Sequence, residues 1–315
     1  MPSPRLIGIT LGDVAGIGPE VTLKALASGK ISRRFHYVII GDSAIVDFTA
    51  RRLKIGGRVE VWQSGATMEK IRLGEPNHAA ARAAHGWIIA GARLCMEGKL
   101  AALVTAPVNK ETISSAGISF IGATELLAKT TGTKKFAMML HSPRLKVSPA
   151  TGHIGLRQVC SQLTADRIVE VAELTAITLQ RLGKKQPRIA IAAVNPHAGD
   201  GGLFGDEEAR IVAPAVKRAR RSGLNVTGPE PGDTIFYRAY HGEFDAVVPM
   251  FHDQGLAPFK VVAFDVGVNL TMGLPIVRTS PDHGTAYTIA GKNKARPDSM
   301  IASINLAARL ANRHS

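Results

Sequence analysis

Cysteine is nearly absent from this sequence. The two that occur, Cys95 and Cys160, sit in helical-looking segments without a paired-motif spacing, which argues against a disulfide framework and for reduced thiols. No run of about twenty apolar residues occurs, so a membrane-spanning helix is excluded. The opening MPSPRLIGITLGD has an apolar stretch too short for a signal core and runs into an acidic turn. A cytoplasmic location without export is therefore expected. Aromatic residues make up only 5% of the chain, too few for a platform that stacks single-stranded nucleic acid. Also missing is a G-x-G-x-x-G fingerprint after the first strand candidate, which disfavours a Rossmann nucleotide-binding fold. There is no internal repeat, no low-complexity tract and no evident flexible linker.

The abundant feature is positive charge, a formal net of +14. Charge alone would suggest a basic nucleic-acid-binding protein. Its distribution does not. The densest run, Lys217, Arg218, Arg220 and Arg221, follows Asp206, Glu207 and Glu208 and precedes Gly223. Acid at the start, base at the end and glycine as the stop is the order that a helix dipole favours. The other basic pairs are scattered and carry no interleaved aromatics, so solvated faces and small anionic ligands account for the charge.

With 315 residues, 45% of them hydrophobic and 20% charged, the chain is large enough for two domains. Short apolar runs alternate with longer amphipathic ones, which predicts α/β layers. Strands are expected at Arg5–Thr10, Tyr37–Gly41, Ala101–Ala106, Arg188–Val194 and Ala246–Phe251, and helices at Asn77–Gly98 and Thr164–Leu182. The first strand runs into Gly12-Asp13-Val14-Ala15-Gly16-Ile17-Gly18-Pro19-Glu20. Its glycines permit a tight turn, and Pro19 suits the first turn of a helix.

Three of the ten histidines have unusual settings. His153 lies in Thr151-Gly152-His153, His197 in Asn195-Pro196-His197-Ala198-Gly199-Asp200, and His252 in Phe251-His252-Asp253-Gln254. The last two follow strand candidates directly, and carboxyl ends of strands are where α/β sheets place ligands. Three imidazoles suffice to hold a divalent ion with positions left for substrate. Taken singly, each is more often a structural or surface histidine.

The segments GDVAGIGPE, TAPVNK, NPHAGDGG, MFHDQGLAPFK, GVNLTMGLPIVRTSPDHGTA and IAGK resemble, in order, the motifs of the 4-hydroxythreonine-4-phosphate dehydrogenase family. The match runs from about Ile9 to the end. It implies a two-lobed α/β fold like that of isocitrate and isopropylmalate dehydrogenases. The lobes would be residues 1–127 with 270–315, carrying an NAD-side loop, and residues 128–269, carrying a metal site and a dimer interface. It also implies a homodimer with a shared active site.

Matched position by position, the resemblance assigns metal binding to His153, His197 and His252, and substrate contacts to Thr124, Lys260, Asn269 and Arg278. Lys260 and Asp233 are the candidates for proton handling. The run His283-Gly284-Thr285-Ala286 resembles the adenine-side loop of isopropylmalate dehydrogenases and is assigned to NAD or NADP, with a glycine turn before a helix as the plain alternative. The ion would be one per site, of zinc, magnesium, manganese or cobalt type.

The implied reaction is NAD-linked oxidation of 4-hydroxythreonine 4-phosphate, with decarboxylation to 3-amino-2-oxopropyl phosphate for pyridoxine synthesis. One departure bears on the substrate. The family pattern Gly-His-Thr-Glu reads Gly122-Ala123-Thr124-Glu125 here, so one imidazole contact is lost. A branch acting on threonate or erythronate 4-phosphate, a cis-dihydrodiol dehydrogenase and a non-catalytic binding relative are the alternatives. Lys260, Asn269 and Arg278 favour a phosphorylated acid.

Overall fold

The structure, a computed structural model, describes residues 6–57, 59–65, 67–68 and 71–312; Arg5, expected to open the first strand, lies outside them. In chain order the strands are β1 (Leu6–Thr10), β2 (His36–Gly41), β3 (Glu60–Gln63), β4 (Ala102–Thr105), β5 (Ala137–His141) and β6 (Lys146–Val147). They continue with β7 (Ile189–Ala192), β8 (Val226–Glu230), β9 (Ala246–Val248), β10 (Val268–Met272) and β11 (Arg278–Pro281). The helices are α1 (Gly18–Ala27), α2 (Ser43–Leu53), α3 (His78–Met96), α4 (Lys110–Ser115), α5 (Ala123–Thr131) and α6 (Leu156–Gln162). After them come α7 (Ala165–Arg181), α8 (Ala213–Arg221), α9 (Ile235–Tyr240), α10 (His252–Ala263) and α11 (Asp298–Ala311).

The chain divides into two compact units, one holding the residues up to Lys134 and from Leu274 onward, the other Lys135–Gly273. The expected limits at 127/128 and 269/270 fall inside α5 and β10, where continuous hydrogen bonding resists a boundary. The observed limits lie in the segments that follow those elements.

In the first unit the strand order is β3-β2-β1-β4-β11, and each pairing is parallel. Parallel strands are buried on both faces and so read as nearly continuous apolar runs. Ile7, Ile9, Ala102, Leu103 and Val104 are fully buried. Helix α3 packs on β1, β2 and β4, and α11 on β4 and β11. The approach of α3 depends on Gly91, where a Cβ would stand 2.5 Å from the Cδ1 of Leu103. The α3 start predicted at Asn77 holds, since the Asn77 side chain accepts from the Ala80 N–H at 3.0 Å and so satisfies a donor the helix cannot pair itself.

In the second unit the order is β10-β5-β6-β9-β7-β8. Strands β10, β5 and β6 pair antiparallel, and β6, β9, β7 and β8 parallel. Leu140, Val147, Ala190, Ile235, Val247 and Phe259 form its core. Helix α7 starts as expected at Thr164, whose hydroxyl accepts from the Arg167 N–H.

Strands β7 and β9 stop short of their expected ends and the basic helix is broken, each for a hydrogen-bonding reason. Strand β7 stops at Ala192 rather than Val194, because the N–H groups of Val194 and Asn195 both turn to the Glu208 carboxylate, at 2.7 and 2.8 Å. Strand β9 stops at Val248 rather than Phe251. Pro249 has no N–H to offer the ladder, and the Met250 N–H goes to Gln254 Oε1 at 2.7 Å. The basic helix starts with a π turn at Glu208–Val212 before α8. Pro214 lacks the N–H that would close a regular turn on Arg210, and Glu208 points inward, 7% exposed. No described helix is long and apolar enough to cross a membrane.

The packing of Leu103 beneath Gly91 gives a direct expectation for stability. Leu103→Ala should cost about 3 kcal/mol, within the range for a fully buried leucine that leaves a cavity. Urea titration followed by circular dichroism should show a lower midpoint, and an unchanged midpoint would contradict this account of the core.

Candidate active site

The histidine-bearing segments of the second unit begin where strands end. Thr151 follows β6 and is fixed to the end of β9 by two bonds to the Met250 carbonyl, from its N–H at 3.2 Å and its hydroxyl at 2.7 Å. Two residues on is His153. His252 is the first residue of α10. The two rings lie 5.2 Å apart between centroids. His252 Nδ1 bonds to Asp253 Oδ1 at 2.6 Å. A carboxylate on one ring nitrogen favours the proton there and leaves the lone pair of the other nitrogen open to a metal ion, the arrangement common behind metal-binding histidines.

His197 occupies a different kind of segment. From His197 to Gly201 the backbone is left-handed, with φ of 52°, 57°, 83°, 46° and 68°. That conformation costs L-residues roughly 1–2 kcal/mol each, so the surroundings must hold it. Asn195 Nδ2 donates to Glu207 at 2.7 Å and to Glu208 at 2.9 Å, beside the two backbone donors already on Glu208. The Asn195 amide, with Arg210 nearby, holds the Glu207 carboxyl below its ordinary range. Gln254 completes the scaffold, since its Nε2 donates to the Ala193 carbonyl at 2.7 Å while its Oε1 holds Met250. The His197 ring stands 6.3 Å from that of Phe204.

The structure thus brings His153 and His252 together and does not gather His197 with them. Among the described residues no group of three or more histidine, cysteine or acidic side chains is placed to hold one ion. The chemistry of the pair suits a divalent ion, with two imidazoles and one backed by a carboxylate. The third expected donor is carried on a turn of its own.

Lys260 lies on α10 with Nζ 5.4 Å from the Phe264 ring. Asp233 is exposed in the turn before α9. Asn269, on β10, donates to Met138 Sδ at 3.3 Å, while its Oδ1 is buried with no hydrogen-bond partner among the described residues. A buried amide oxygen without a donor is an open acceptor.

In the first unit Arg278 opens β11 and is 4% exposed. Its Nε and Nη2 donate to the Thr105 hydroxyl at 3.1 and 2.6 Å. Burial pulls its pKa down to about 10, opposed by the Glu125 carboxylate, so it stays charged at neutral pH. Ala123 and Thr124 begin α5, whose N-cap Gly122 gives no side-chain cap. In the 282–286 segment, Gly284 is exposed with nothing within 4 Å of where a side chain would project. Thr285 is buried, and Ala286 is left-handed with φ 44°. A short 3-10 turn, Tyr287–Ile289, follows, and α11 starts only at Asp298.

Sequence reasoning missed five residues that position these groups: Asp13, Thr105, Glu208, Gln254 and Tyr287. Asp13, Thr105 and Gln254 sit inside matched motifs and so carried a signal. Glu208 and Tyr287 carried none beyond their neighbourhood.

Comparison with known proteins bears on identity. Residues 23–307 match the family model described as pyridoxal phosphate biosynthetic protein PdxA. A 4-hydroxythreonine-4-phosphate dehydrogenase of Desulfosudis oleivorans is 44% identical over 97% of this chain and 96% of its own. A D-threonate 4-phosphate dehydrogenase of Pectobacterium atrosepticum is 42% identical over 98% and 99%. The crystal structure of a 4-hydroxythreonine-4-phosphate dehydrogenase from Klebsiella pneumoniae superposes with a TM-score of 0.84 at 41% identity, covering 98% of this chain and 99% of that one. A β-decarboxylating dehydrogenase from Thermococcus kodakarensis, 13% identical with a TM-score of 0.51 over 96% of this chain and 81% of that one, shares the fold. With its family model matched from residue 23 to residue 307 and relatives above 40% identity along nearly its whole length, the chain belongs to the PdxA family of pyridoxal phosphate biosynthetic proteins.

Proposed function

We propose that this protein oxidises the secondary alcohol of a phosphorylated four-carbon hydroxy acid with NAD and a divalent ion. The observation that carries this reading is the His153–His252 pair, 5.2 Å apart and backed by Asp253. In the reaction the alcohol loses its proton from oxygen and a hydride from carbon, giving a ketone, NADH and a proton. When that ketone is β to a carboxylate, carbon dioxide leaves and an enolate forms, which then takes a proton at carbon. The ion, when bound, supplies Lewis acidity to the reacting oxygen. His153 and His252 offer ring nitrogens to it, with His197 as the third expected donor. Lys260 receives or relays the alcohol proton, and Asp233 is the second candidate for that role. Arg278, held in plane by Thr105, anchors the phosphate or carboxylate with its fork. Asn269 and Thr124 add neutral contacts, and His283, Gly284, Thr285 and Ala286 receive the dinucleotide.

The first candidate substrate is 4-hydroxythreonine 4-phosphate, which yields 3-amino-2-oxopropyl phosphate in pyridoxine synthesis. A specific observation keeps D-threonate 4-phosphate close behind. Ala123 stands where the family has histidine, and relatives of both names have similar identity to this chain. The two substrates differ at carbon 2, ammonium against hydroxyl, so one lost contact is enough to re-rank them.

The partner is a second copy of this chain. Leu156, Leu203, Tyr237, Val261 and Phe264 are 72%, 74%, 70%, 86% and 64% exposed, and all belong to the second unit. Large apolar side chains left in water in one unit favour burial against a partner. A nucleic acid is not proposed. Part of the basic run is engaged within the protein, Arg218 with Asp166 at 2.6 Å and Arg220 with the Val226 carbonyl. The proposed location is the cytoplasm.

Three outcomes test these assignments in an NADH absorbance assay with added metal. His252→Ala should remove metal-dependent turnover, and full activity in that variant would sink the metal assignment. Arg278→Ala should lower kcat/KM for each phosphorylated substrate by roughly a hundredfold, the scale of a lost charge-assisted contact of about 3 kcal/mol. Unchanged turnover would instead favour a neutral diol substrate. Ala123→His should shift preference toward 4-hydroxythreonine 4-phosphate by about tenfold. Light scattering should give twice the chain mass, with an interface burying more than about 2,000 Å² in total; a monomer with full turnover would refute the shared site.

A further inference from the structure

The segment Gly12–Glu20 is among the most distinctive stretches of the sequence, and the reaction just described gives it no task. Its place in the fold supplies one. The Asp13 side chain is buried, 1% exposed, at the turn between β1 and α1. Its Oδ1 accepts from the Ala15 N–H at 2.9 Å, and its Oδ2 accepts from the Tyr287 hydroxyl. Burial raises the Asp13 pKa, and the bonds from Tyr287, Ala15 and Gly16 oppose that rise. A carboxylate placed here without such donors would be costly.

The same turn grips the residue that precedes Ala286 and Tyr287. The Ile17 N–H donates to the Thr285 carbonyl at 2.9 Å. Gly16 lies so close that a Cβ on it would stand 2.6 Å from that carbonyl oxygen and 2.9 Å from the Thr285 Cβ. The Tyr287 hydroxyl also lies 3.5 Å from the Thr112 hydroxyl, a second hydrogen bond. From the far side, the Gly74 N–H holds the Ala15 carbonyl at 2.8 Å. Thr285 is therefore held by a backbone donor and by a glycine with no room for a side chain, and two residues on the Tyr287 hydroxyl is anchored on a buried carboxylate. Between Thr285 and Tyr287 is Ala286, in the left-handed conformation that an alanine adopts only at a cost.

We propose that Asp13 and Tyr287 are positioning residues that, with the Gly16–Ile17 backbone, clamp Thr285 and hold the 283–286 loop in the shape that receives the dinucleotide. The proposal rests on the assignment of that loop to NAD. Its physical content is preorganisation. A loop already fixed in its binding shape loses less conformational freedom when the ligand arrives, so its affinity is higher. The glycines of the segment then serve the close approach of one backbone to another rather than direct contact with phosphate, which agrees with the missing nucleotide fingerprint.

Tyr287→Phe tests this, because it removes the hydroxyl and keeps the ring. Calorimetric titration with NAD should show a Kd raised roughly tenfold or more, the scale of one charge-assisted hydrogen bond. Hydrogen exchange on the protein without NAD should be faster at the amides of residues 284–289. KM for NAD should rise more than kcat falls. Asp13→Asn, which keeps the shape and one acceptor, should move all three in the same direction by less. Gly284→Val separates the two ideas, since its side chain would project into open space on the ligand face. If Gly284→Val weakens NAD binding while Tyr287→Phe leaves it unchanged, the clamp is overturned and the loop assignment stands. Faster exchange in Tyr287→Phe with an unchanged Kd overturns it as well, by reducing the contact to local stability. If Gly284→Val leaves NAD binding unchanged, the loop assignment fails and takes the clamp with it.

Discussion

A backbone N–H that leaves the sheet at the end of a strand needs an acceptor, and beyond β1, β7 and β9 side chains supply it. Glu208 takes the donors of Val194 and Asn195, and Gln254 takes that of Met250. Asp13 does the same for Ala15 after β1. These bonds end the strands where they end. They also turn the next residues away from the ladder, and those segments lead into His197 beyond β7 and His252 beyond β9.

The same constraint explains the strain at the site. A run of five left-handed residues that includes His197, Ala198 and Asp200 opposes the intrinsic preference of L-amino acids. It persists because Asn195, just before it, gives its side-chain amide to two carboxylates and its backbone N–H to one of them. In the first unit, a left-handed Ala286 is held between Thr285 and Tyr287, both of which are bonded to other segments. Local strain maintained by distant polar contacts is a common feature of functional sites.

Buried charge follows the same rule. Arg278 is almost fully enclosed yet remains a cation, because Thr105 accepts two of its donors and Glu125 favours its charged form.

Much of this was legible in the sequence. The alternation of apolar and amphipathic runs gave α/β units, and Asn77 and Thr164 marked helix starts because capping is a local matter of one side chain and the N–H groups two or three residues on. Pro19 and the missing nucleotide fingerprint were equally local. The histidine segments and Arg278 were recognisable from their motifs. Strand ends at Ala192 and Val248 were not, because they are set by Glu208 and Gln254 rather than by the strands themselves. Nor was the π turn at Glu208, or the pairing of His153 with His252 while His197 rides on a separate turn. The contact between Asp13 and Tyr287 spans 274 positions. Local sequence pattern decides which residues become helix, strand or turn. Tertiary structure alone decides which turn meets which, because a hydrogen bond between distant segments depends on where the whole sheet carries them.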